Sequence, residues 1–207
     1  RYHLVTIPDR DRIAVLQEAT PGDIQKRTKE VTFADPDVVV LSSDSAVAYV
    51  ATERNLSKKP VIGIVDIVAS GGPALQTQGV TVKQVITLPI FGLATAADAP
   101  VLAVANGLQV IFYDTTDPRA PVSKGTVQFV TVTPGGPVPQ ITTGFFIDVA
   151  LSPDGKTAVI LDGAADYIHV FDISDLAKPK MTNSKIKISG GASTKPVLNI
   201  PVISGLL

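Results

Sequence analysis

The stretch 147–173 decides the fold, and it reads IDVALSPDGKTAVILDGAADYIHVFDI. It holds three short apolar runs, each bounded by Gly, Pro or Asp, and each too short for a helix. Runs rich in β-branched residues favour strands. After a Pro-containing loop we expect a further strand at 185–188. The stretch therefore predicts a four-stranded antiparallel meander.

The same pattern of strands and turns recurs twice upstream, in 38–88 and in 101–132. In each copy an acidic residue follows the third strand, at Asp66, Asp114 and Asp172. These positions are 48 (114 minus 66) and 58 (172 minus 114) residues apart, which exceeds the ~40–45 residues of one propeller blade. The excess is explained by two Gly-Pro-rich segments, 69–78 and 133–144, whose composition is typical of exposed loops. Repeated four-stranded meanders are the blades of a β-propeller.

We therefore predict an all-β chain: a β-propeller of four-stranded antiparallel blades, with about four blades in this chain, alone or as part of a larger propeller. The expected single domain 1–207 consists of a partial blade 1–35, blades 36–92, 96–132 and 143–190, and a closing or next-blade strand 194–207. The partial blade has three strands. The segment 196–204 is expected to pair with the strand at 2–7 and supply the fourth.

Two repeat signatures resemble known families. DTTDPRAP at 114–121, after the apolar run 108–113, resembles the LVIVD repeat, and FDISD at 171–175 is a looser copy. LSPDGKT at 151–157 resembles the turn of YVTN and related lactonase-like or surface-layer propellers. In the earlier copy, Asp44-Ser45 lacks the Gly of that turn. The resemblance implies an extracellular or cell-surface propeller of prokaryotes, often without known catalysis and commonly with seven blades.

Composition excludes several classes of function. The net charge of -1 leaves no basic excess to neutralise nucleic acid. With no Cys, the chain has no disulfides, thiolate metal sites or cysteine nucleophile. No run reaches the ~18 apolar residues that span a bilayer. Because the first residue is Arg1 and no signal-peptide pattern follows, the sequence favours a processed or excised segment.

The sequence leaves two alternative roles for each of the candidate ionisable residues. Asp66, Asp114 and Asp172 are either metal ligands facing a central channel or, as we expect, acceptors in Asx-turns. His169 alternates with Ile168 and Val170, so it is either a hydrogen-bonded core residue or solvent-facing. With only two His, a three-His zinc site is excluded. The sequence has no nucleophile elbow, phosphate loop or dinucleotide motif.

The function predicted is a non-catalytic extracellular β-propeller that binds a protein, or packs into an assembly, through its inter-strand loops. A glycan is a second partner class, although few aromatic residues are available to stack sugars. The apolar loop residues Leu75, Val138 and Ile141 are the candidate binding residues. No cofactor is expected. The alternative is a lactonase-like hydrolase that uses a divalent cation such as Ca²⁺ at the channel mouth. Secretion or a prokaryotic cell surface is the expected location.

Overall fold

The chain is nearly all strand. The computed structural model describes residues 2–20, 23–33, 36–52, 62–66, 77–80, 90–128, 130–133, 140–164 and 166–187. In these residues the regular elements are seventeen β-strands and one turn of 3-10 helix, Pro8–Arg10. No helix in this part of the chain is long and apolar enough to cross a membrane.

The strands form four meanders and one hairpin, in which strands that follow each other in sequence pair antiparallel. Sheet 1 consists of β1 (Tyr2–Ile7), β2 (Arg12–Thr20) and β3 (Asp23–Thr32). Sheet 2 consists of β4 (Pro36–Leu41), β5 (Val47–Thr52), β6 (Ile62–Asp66) and β7 (Thr77–Val80). Sheet 3 consists of β8 (Gly92–Thr95), β9 (Val101–Ala105), β10 (Gln109–Asp114) and β11 (Val122–Gln128). The hairpin is β12 (Val130–Thr133) with β13 (Gln140–Thr143), and sheet 4 consists of β14 (Phe146–Leu151), β15 (Thr157–Asp162), β16 (Tyr167–Asp172) and β17 (Lys180–Lys187).

Consecutive sheets pack face to face over three apolar clusters. Phe112 of sheet 3 packs with Phe146 and Phe171 of sheet 4. Equivalent clusters lie between sheets 2 and 3 and between sheets 1 and 2. Strands β5 and β9 are buried on both faces, which explains why their sequences are continuously apolar instead of alternating. Among the residues that the structure describes, the four sheets are not closed into a ring.

The predicted fold class is confirmed: three four-stranded antiparallel meanders follow a three-stranded one. Several strand limits differ from the expected ones. Strand β7 begins at Thr77, inside the segment 69–78 that was expected to be a loop. Sheet 3 begins with β8, a strand that the sequence reading did not include. The fourth strand of sheet 4 begins at Lys180 instead of 185. The hairpin β2–β3 pairs as far as Thr20↔Asp23, where a loop was expected.

The expected loop 133–144 is built differently as well. Strand β13 lies within it and pairs with β12, which ends at its first residue, so that Val130 is opposite Thr143 and Val132 is opposite Ile141. Both segments are rich in Val, Ile and Thr, which favour strands. The Pro and Gly residues between these segments, at 134–139, favour a loop, which is why a loop is expected over the whole of 133–144. The closing strand expected at 196–204 lies outside the described residues.

Candidate interaction surface

One end of the strands carries the turns that join first to second strands in sheets 2, 3 and 4 and third to fourth strands in sheets 3 and 4. We call this end the turn face, and it comprises 42–46, 96–100, 115–121, 152–156 and 173–179. Backbone hydrogen bonds join these turns to each other within a sheet: Thr115 donates to Pro100 and Ile173 donates to Lys156, both at 2.8 Å. The turns of one sheet are therefore held as a unit.

The turn of sheet 4 shows how the local sequence builds this face. Ser152 Oγ donates to Asp154 Oδ1 at 2.6 Å, and the Lys156 N–H donates to the same oxygen at 3.1 Å. Thr157 N–H donates to Ser152 Oγ at 3.0 Å. Gly155 completes the turn with a φ of +68°. A left-handed backbone of this kind favours glycine because it has no Cβ.

Sheet 2 repeats the turn without the glycine. Ser42 Oγ donates to Asp44 Oδ1 at 2.5 Å, the Ala46 N–H donates to that oxygen at 3.0 Å, and Val47 N–H donates to Ser42 Oγ at 3.1 Å. Ser45 occupies the place of Gly155 and has a φ of +56°. A serine is therefore held in the conformation that the turn requires.

Replacing Ser45 with glycine is expected to raise the free energy of unfolding by about 0.5–1 kcal/mol. The left-handed conformation costs a residue with a Cβ roughly 1–2 kcal/mol, and glycine returns roughly 0.5–1 kcal/mol of that through the entropy of the unfolded chain. Urea unfolding of Ser45→Gly measures the difference. The control is Ser43→Gly in the same turn, where only the entropic loss applies. Equal effects of the two variants would contradict the argument.

Two of the acidic residues that follow a third strand, Asp114 and Asp172, form the predicted Asx-turns. Asp114 Oδ1 accepts from the Thr116 N–H at 2.9 Å and from its hydroxyl at 2.7 Å. Asp172 Oδ1 accepts from the Ser174 N–H at 3.0 Å. A second Asx-turn follows in each loop, at Asp117 and Asp175. These carboxylates therefore stabilise their own turns.

The predicted Asx-turn at Asp66 involves residues after 66, which lie outside the described part of the chain; Asp66 itself contacts a neighbouring sheet. Its Oδ1 lies 2.7 Å from Nε of Arg119, which belongs to the turn face of sheet 3. Tyr49 of sheet 2 also reaches that turn, where its hydroxyl donates to the Pro118 carbonyl at 2.9 Å. Between sheets 3 and 4, the Asp98 N–H donates to the Pro153 carbonyl at 2.8 Å. The turns are thus tied from sheet to sheet as well as within each sheet.

Hydrogen bonding shifts the titration of these carboxyls. Donation from the Ser42 hydroxyl and the Ala46 N–H holds the pKa of Asp44 below its ordinary value of 3.8. The Ser152 hydroxyl and Lys156 N–H lower the pKa of Asp154, Thr116 lowers that of Asp114, and the Ser174 N–H lowers that of Asp172. Each hydrogen bond favours the charged form of the acid.

We expect these carboxyls to make the protein less stable in acid. Since their pKa values are lower in the folded state, their contribution is present above the ordinary value of 3.8 and is lost as the pH falls through the folded values. The melting temperature should therefore fall steeply below a pH of about 4. In the double variant Asp154→Asn, Asp172→Asn, the amide oxygens still accept but do not titrate, so the slope should flatten. An unchanged slope would show that other groups cause the loss.

The opposite end of the strands carries the turns 106–108 and 163–166 and the hairpin β12–β13. His169 and Asp162 lie here, each only 3% exposed, with His169 Nε2 3.5 Å from Asp162 Oδ2. Asp162 Oδ1 accepts from the Phe145 N–H and the Ala164 N–H, both at 3.0 Å. His169 is buried, which excludes the solvent-facing alternative. The role of Asp162 was missed, although the Asp-Gly pair after a strand signals such a turn.

The strands that flank the two candidate binding segments end at opposite ends of the sheets. Loops after the first and third strands of a meander lie at one end, and those after the second and fourth lie at the other. The segment containing Leu75 joins β6 to β7, so it leaves and enters the sheet at the turn face. Ile141 is in β13, at the opposite end. Leu75 and Val138 themselves lie outside the described residues.

Within the described part of the chain, no group of three His, Asp or Glu side chains is placed to hold a metal ion. Two tyrosines are buried between sheets, and their burial raises the pKa of both Tyr49 and Tyr113 to about 12. The geometry thus shows a set of stiff, mutually braced turns and a buried Asp–His pair.

Comparison with solved structures identifies the fold. A "putative 6-phosphogluconolactonase" from Bacteroides uniformis superposes with a TM-score of 0.65 at 17% identity, over 90% of this chain and 52% of that one. The β-propeller domain of Cps50 (Swd1) from Myceliophteria thermophila gives 0.62 at 14%, over 91% and 56%. The fold is a β-propeller. A protein from Lactobacillus plantarum gives 0.61 at 17%, over 93% and 54%.

The chain spans about half the length of these propellers. At such identities the likeness establishes the fold alone. No protein-family model matches the sequence, and no curated protein matches it. The LVIVD and YVTN resemblances therefore remain predictions about the repeats of this propeller.

Proposed function

We propose that this propeller is a non-catalytic binding or assembly module that contacts its partner through the segments joining its strands. The observation that carries the proposal is the bracing of the turn face. The carboxylates of Asp44, Asp154 and Asp172 hold their own turns, and Asp98 and Arg119 join neighbouring sheets. A surface that is ordered before binding loses little entropy when a partner arrives.

The second contact region is the hairpin β12–β13. Its paired strands hold the ends of the segment 134–139, which contains Val138, and Ile141 lies in one of them. Rigid scaffolds that present connecting segments are a common arrangement for binding sites. The apolar composition of this segment suits a protein partner or a second copy better than a glycan. A secreted or cell-surface location in a prokaryote is part of the proposal, and it rests on the repeat resemblance.

The second candidate function is a lactonase-like hydrolase with a divalent cation such as Ca²⁺. It is favoured by the description of one similar structure as a 6-phosphogluconolactonase. The buried pair weighs against it, because an imidazole and a carboxylate that are each 3% exposed do not reach a substrate in solvent. A binding module without a cofactor accounts better for carboxylates that are used in their own turns.

The test combines turnover with cross-linking. The purified chain is assayed on gluconolactone, 6-phosphogluconolactone and p-nitrophenyl acetate, with and without EDTA, and no rate above the buffer rate is expected. A photo-reactive amino acid at Ile141 should give a discrete cross-linked protein band in the producing cells, and the same probe at Val122 should not. A turnover that EDTA abolishes would overturn the proposal in favour of the hydrolase, and absence of a specific cross-link would remove the binding site from the hairpin.

A shortened hairpin provides the matched variant. Replacing 134–139 with Asn-Gly keeps the pairing of β12 with β13, because two residues of this type close a hairpin. The cross-link from Ile141 should then weaken at least tenfold. As a control, the same Asn-Gly replacement at 8–11, between β1 and β2, should leave it unchanged.

A further inference from the structure

The binding proposal leaves two buried ionisable side chains without a role. Asp162 ends β15 and His169 lies within β16, and each is only 3% exposed. The register places Ile160 opposite His169, and Ile160 belongs to the apolar cluster between sheets 3 and 4. His169 Nε2 lies 3.5 Å from Asp162 Oδ2. An Asp is rarely buried to this extent unless it is paired, so the pair calls for an explanation.

The other oxygen of Asp162 holds the place where the hairpin β12–β13 returns to sheet 4. Its Oδ1 accepts from the Phe145 N–H and the Ala164 N–H, both at 3.0 Å. The Gly163 N–H donates to the Phe145 carbonyl at 2.8 Å, so the carboxylate and the backbone act at the same point. Phe145 follows β13, which ends at Thr143. We call Phe145, Asp162, Gly163 and Ala164 the hairpin base.

Protonation of His169 changes the charge balance at the hairpin base. A carboxylate only accepts hydrogen bonds, which suits Asp162 with its two N–H donors. A buried carboxylate is costly without a compensating positive charge. The imidazolium form of His169 supplies that charge 3.5 Å away, and attraction at such a distance opposes the desolvation that disfavours a buried imidazolium. The charge of Asp162 is therefore compensated while His169 is protonated.

Two lysines oppose this effect from the edge of sheet 4. Lys185 is opposite His169 in the register of β16 with β17, and Lys187 is opposite Tyr167. The remaining ionisable residues of sheet 4 around His169 are Tyr167, whose ring centre is 6.2 Å from that of His169, Asp166 in the preceding turn, and Asp148, which pairs with Leu161. A positive charge at Lys185 disfavours the imidazolium, and the carboxylates favour it. Asp162 acts at contact distance, 3.5 Å from Nε2, so we expect its charge to dominate.

The side of sheet 3 that packs here is apolar in the residues that the structure describes. Ala105, Val110 and Val127 lie in the same cluster as Ile160. The ion pair of sheet 3 between Asp114 and Lys124, at 3.5 Å, lies at the turn-face end of its strands. The hairpin segment 129–144 contains no ionisable residue. The charge state of His169 is therefore governed within sheet 4.

We propose that Asp162 and His169 form a pH-sensitive ion pair that holds the hairpin base while the imidazole is protonated. When His169 releases its proton to solvent, the charge of Asp162 stays buried without its counter-charge, and the hairpin base opens more often. Because the folded state favours the imidazolium, this stabilisation is present at a pH below the ordinary histidine value of about 6.5 and is lost as the pH rises through the folded-state titration. The direction is opposite to that of the turn-face carboxyls. The proposal concerns the order of the hairpin base and does not depend on which partner the hairpin binds.

The imidazole proton signals test the charge state directly. The chain has two histidines, His3 and His169, and His3→Gln assigns their signals. In an NMR titration from about pH 5 to about pH 9, the midpoint of His169 should lie at least half a unit above about 6.5. Asp162→Asn should move it below about 6.5, because burial then acts without the carboxylate. Lys185→Gln, which removes a positive charge instead, should not lower it.

Amide hydrogen exchange tests the effect on the hairpin base. The amides of Phe145 and Ala164 should lose protection at least fivefold between about pH 6 and about pH 8.5, after correction for the intrinsic exchange rate. The amides of Thr157 and Ile173, which donate at the turn face of the same sheet, are the control and should retain their protection. In His169→Gln the pH dependence at Phe145 and Ala164 should disappear.

Both measurements begin with the unmodified chain, so they do not depend on the folding of a variant. A midpoint of His169 below the ordinary value, or one that Asp162→Asn leaves unchanged, would overturn the proposal. Exchange at Phe145 and Ala164 that does not change with pH, or an equal change at Thr157 and Ile173, would also overturn it. The cross-link from Ile141 plays no part in either measurement, so failure of the binding proposal is separable from failure of this one.

Discussion

Replacing Asp162, whose side chain is buried, with alanine is expected to lower the free energy of unfolding by about 2–4 kcal/mol, because two backbone N–H groups lose their acceptor. Those donors are the backbone N–H groups of Phe145 and Ala164, both at 3.0 Å. The first belongs to the segment that enters sheet 4, and the second belongs to the turn between β15 and β16. One carboxylate therefore fixes the start of the sheet to one of its own turns.

Two further variants separate the parts of this effect. Asp162→Asn retains an oxygen acceptor but removes the negative charge 3.5 Å from His169, so a smaller loss is expected. Asp172→Ala removes a comparable acceptor from an exposed turn, where water replaces it, and its loss should be smaller than that of Asp162→Ala. Urea unfolding with a common slope ranks the three variants. Equal losses for Asp162→Ala and Asp172→Ala would mean that burial of the site does not contribute.

The strands that the sequence predicts well are the continuously apolar ones. Val101–Ala105 and Thr157–Asp162 are rich in β-branched or small apolar residues and are bounded by turn residues, so their propensity and their burial agree. The turn chemistry of Ser152–Asp154 and Asp114 was also predictable, because an Asx-turn depends only on residues two positions apart.

Strands whose stability comes from their neighbours were harder to predict. Strand β8 has the sequence GLAT, which has little strand propensity, and it pairs with β9 through the backbone. Strand β17 begins with polar residues at the sheet edge. In β3 the charged run QKRTKE resembles a loop by composition but extends the pairing with β2. Sheet pairing here overrides propensity, and a single sequence does not contain that information.

The buried Asp162–His169 pair shows the same limit at the level of a site. The two residues are seven positions apart, and their contact depends on the register in which Ile160 faces His169 and Asp162 faces Tyr167. A shift of one residue would turn His169 to the other face of the sheet. The division of the candidate binding loops between two ends of the molecule is likewise a consequence of strand order, which composition does not reveal.

Replacing Gly155 with alanine should lower the free energy of unfolding by about 2–4 kcal/mol, for two reasons that can be measured separately. The first is the φ of +68°, which costs a residue with a Cβ roughly 1–2 kcal/mol. The second is steric, since the added Cβ would lie 2.7 Å from Ala99 Cβ and 3.1 Å from Val101 Cγ2 in sheet 3. Overpacking of this kind costs roughly 1–3 kcal/mol.

A double-mutant cycle with Ala99→Gly isolates the steric part. Removing the Ala99 methyl opens space for the new one, so the double variant should recover about 1 kcal/mol relative to the sum of the two single variants. The strain of the left-handed backbone should remain. Urea unfolding of the four proteins gives the coupling energy. If the two substitutions are simply additive, the new methyl does not collide with sheet 3. A loss restricted to Gly155→Ala, with full recovery in the double variant, would instead show that the turn accommodates a Cβ, and that the contact between sheets 3 and 4 is the sole reason for glycine at this position.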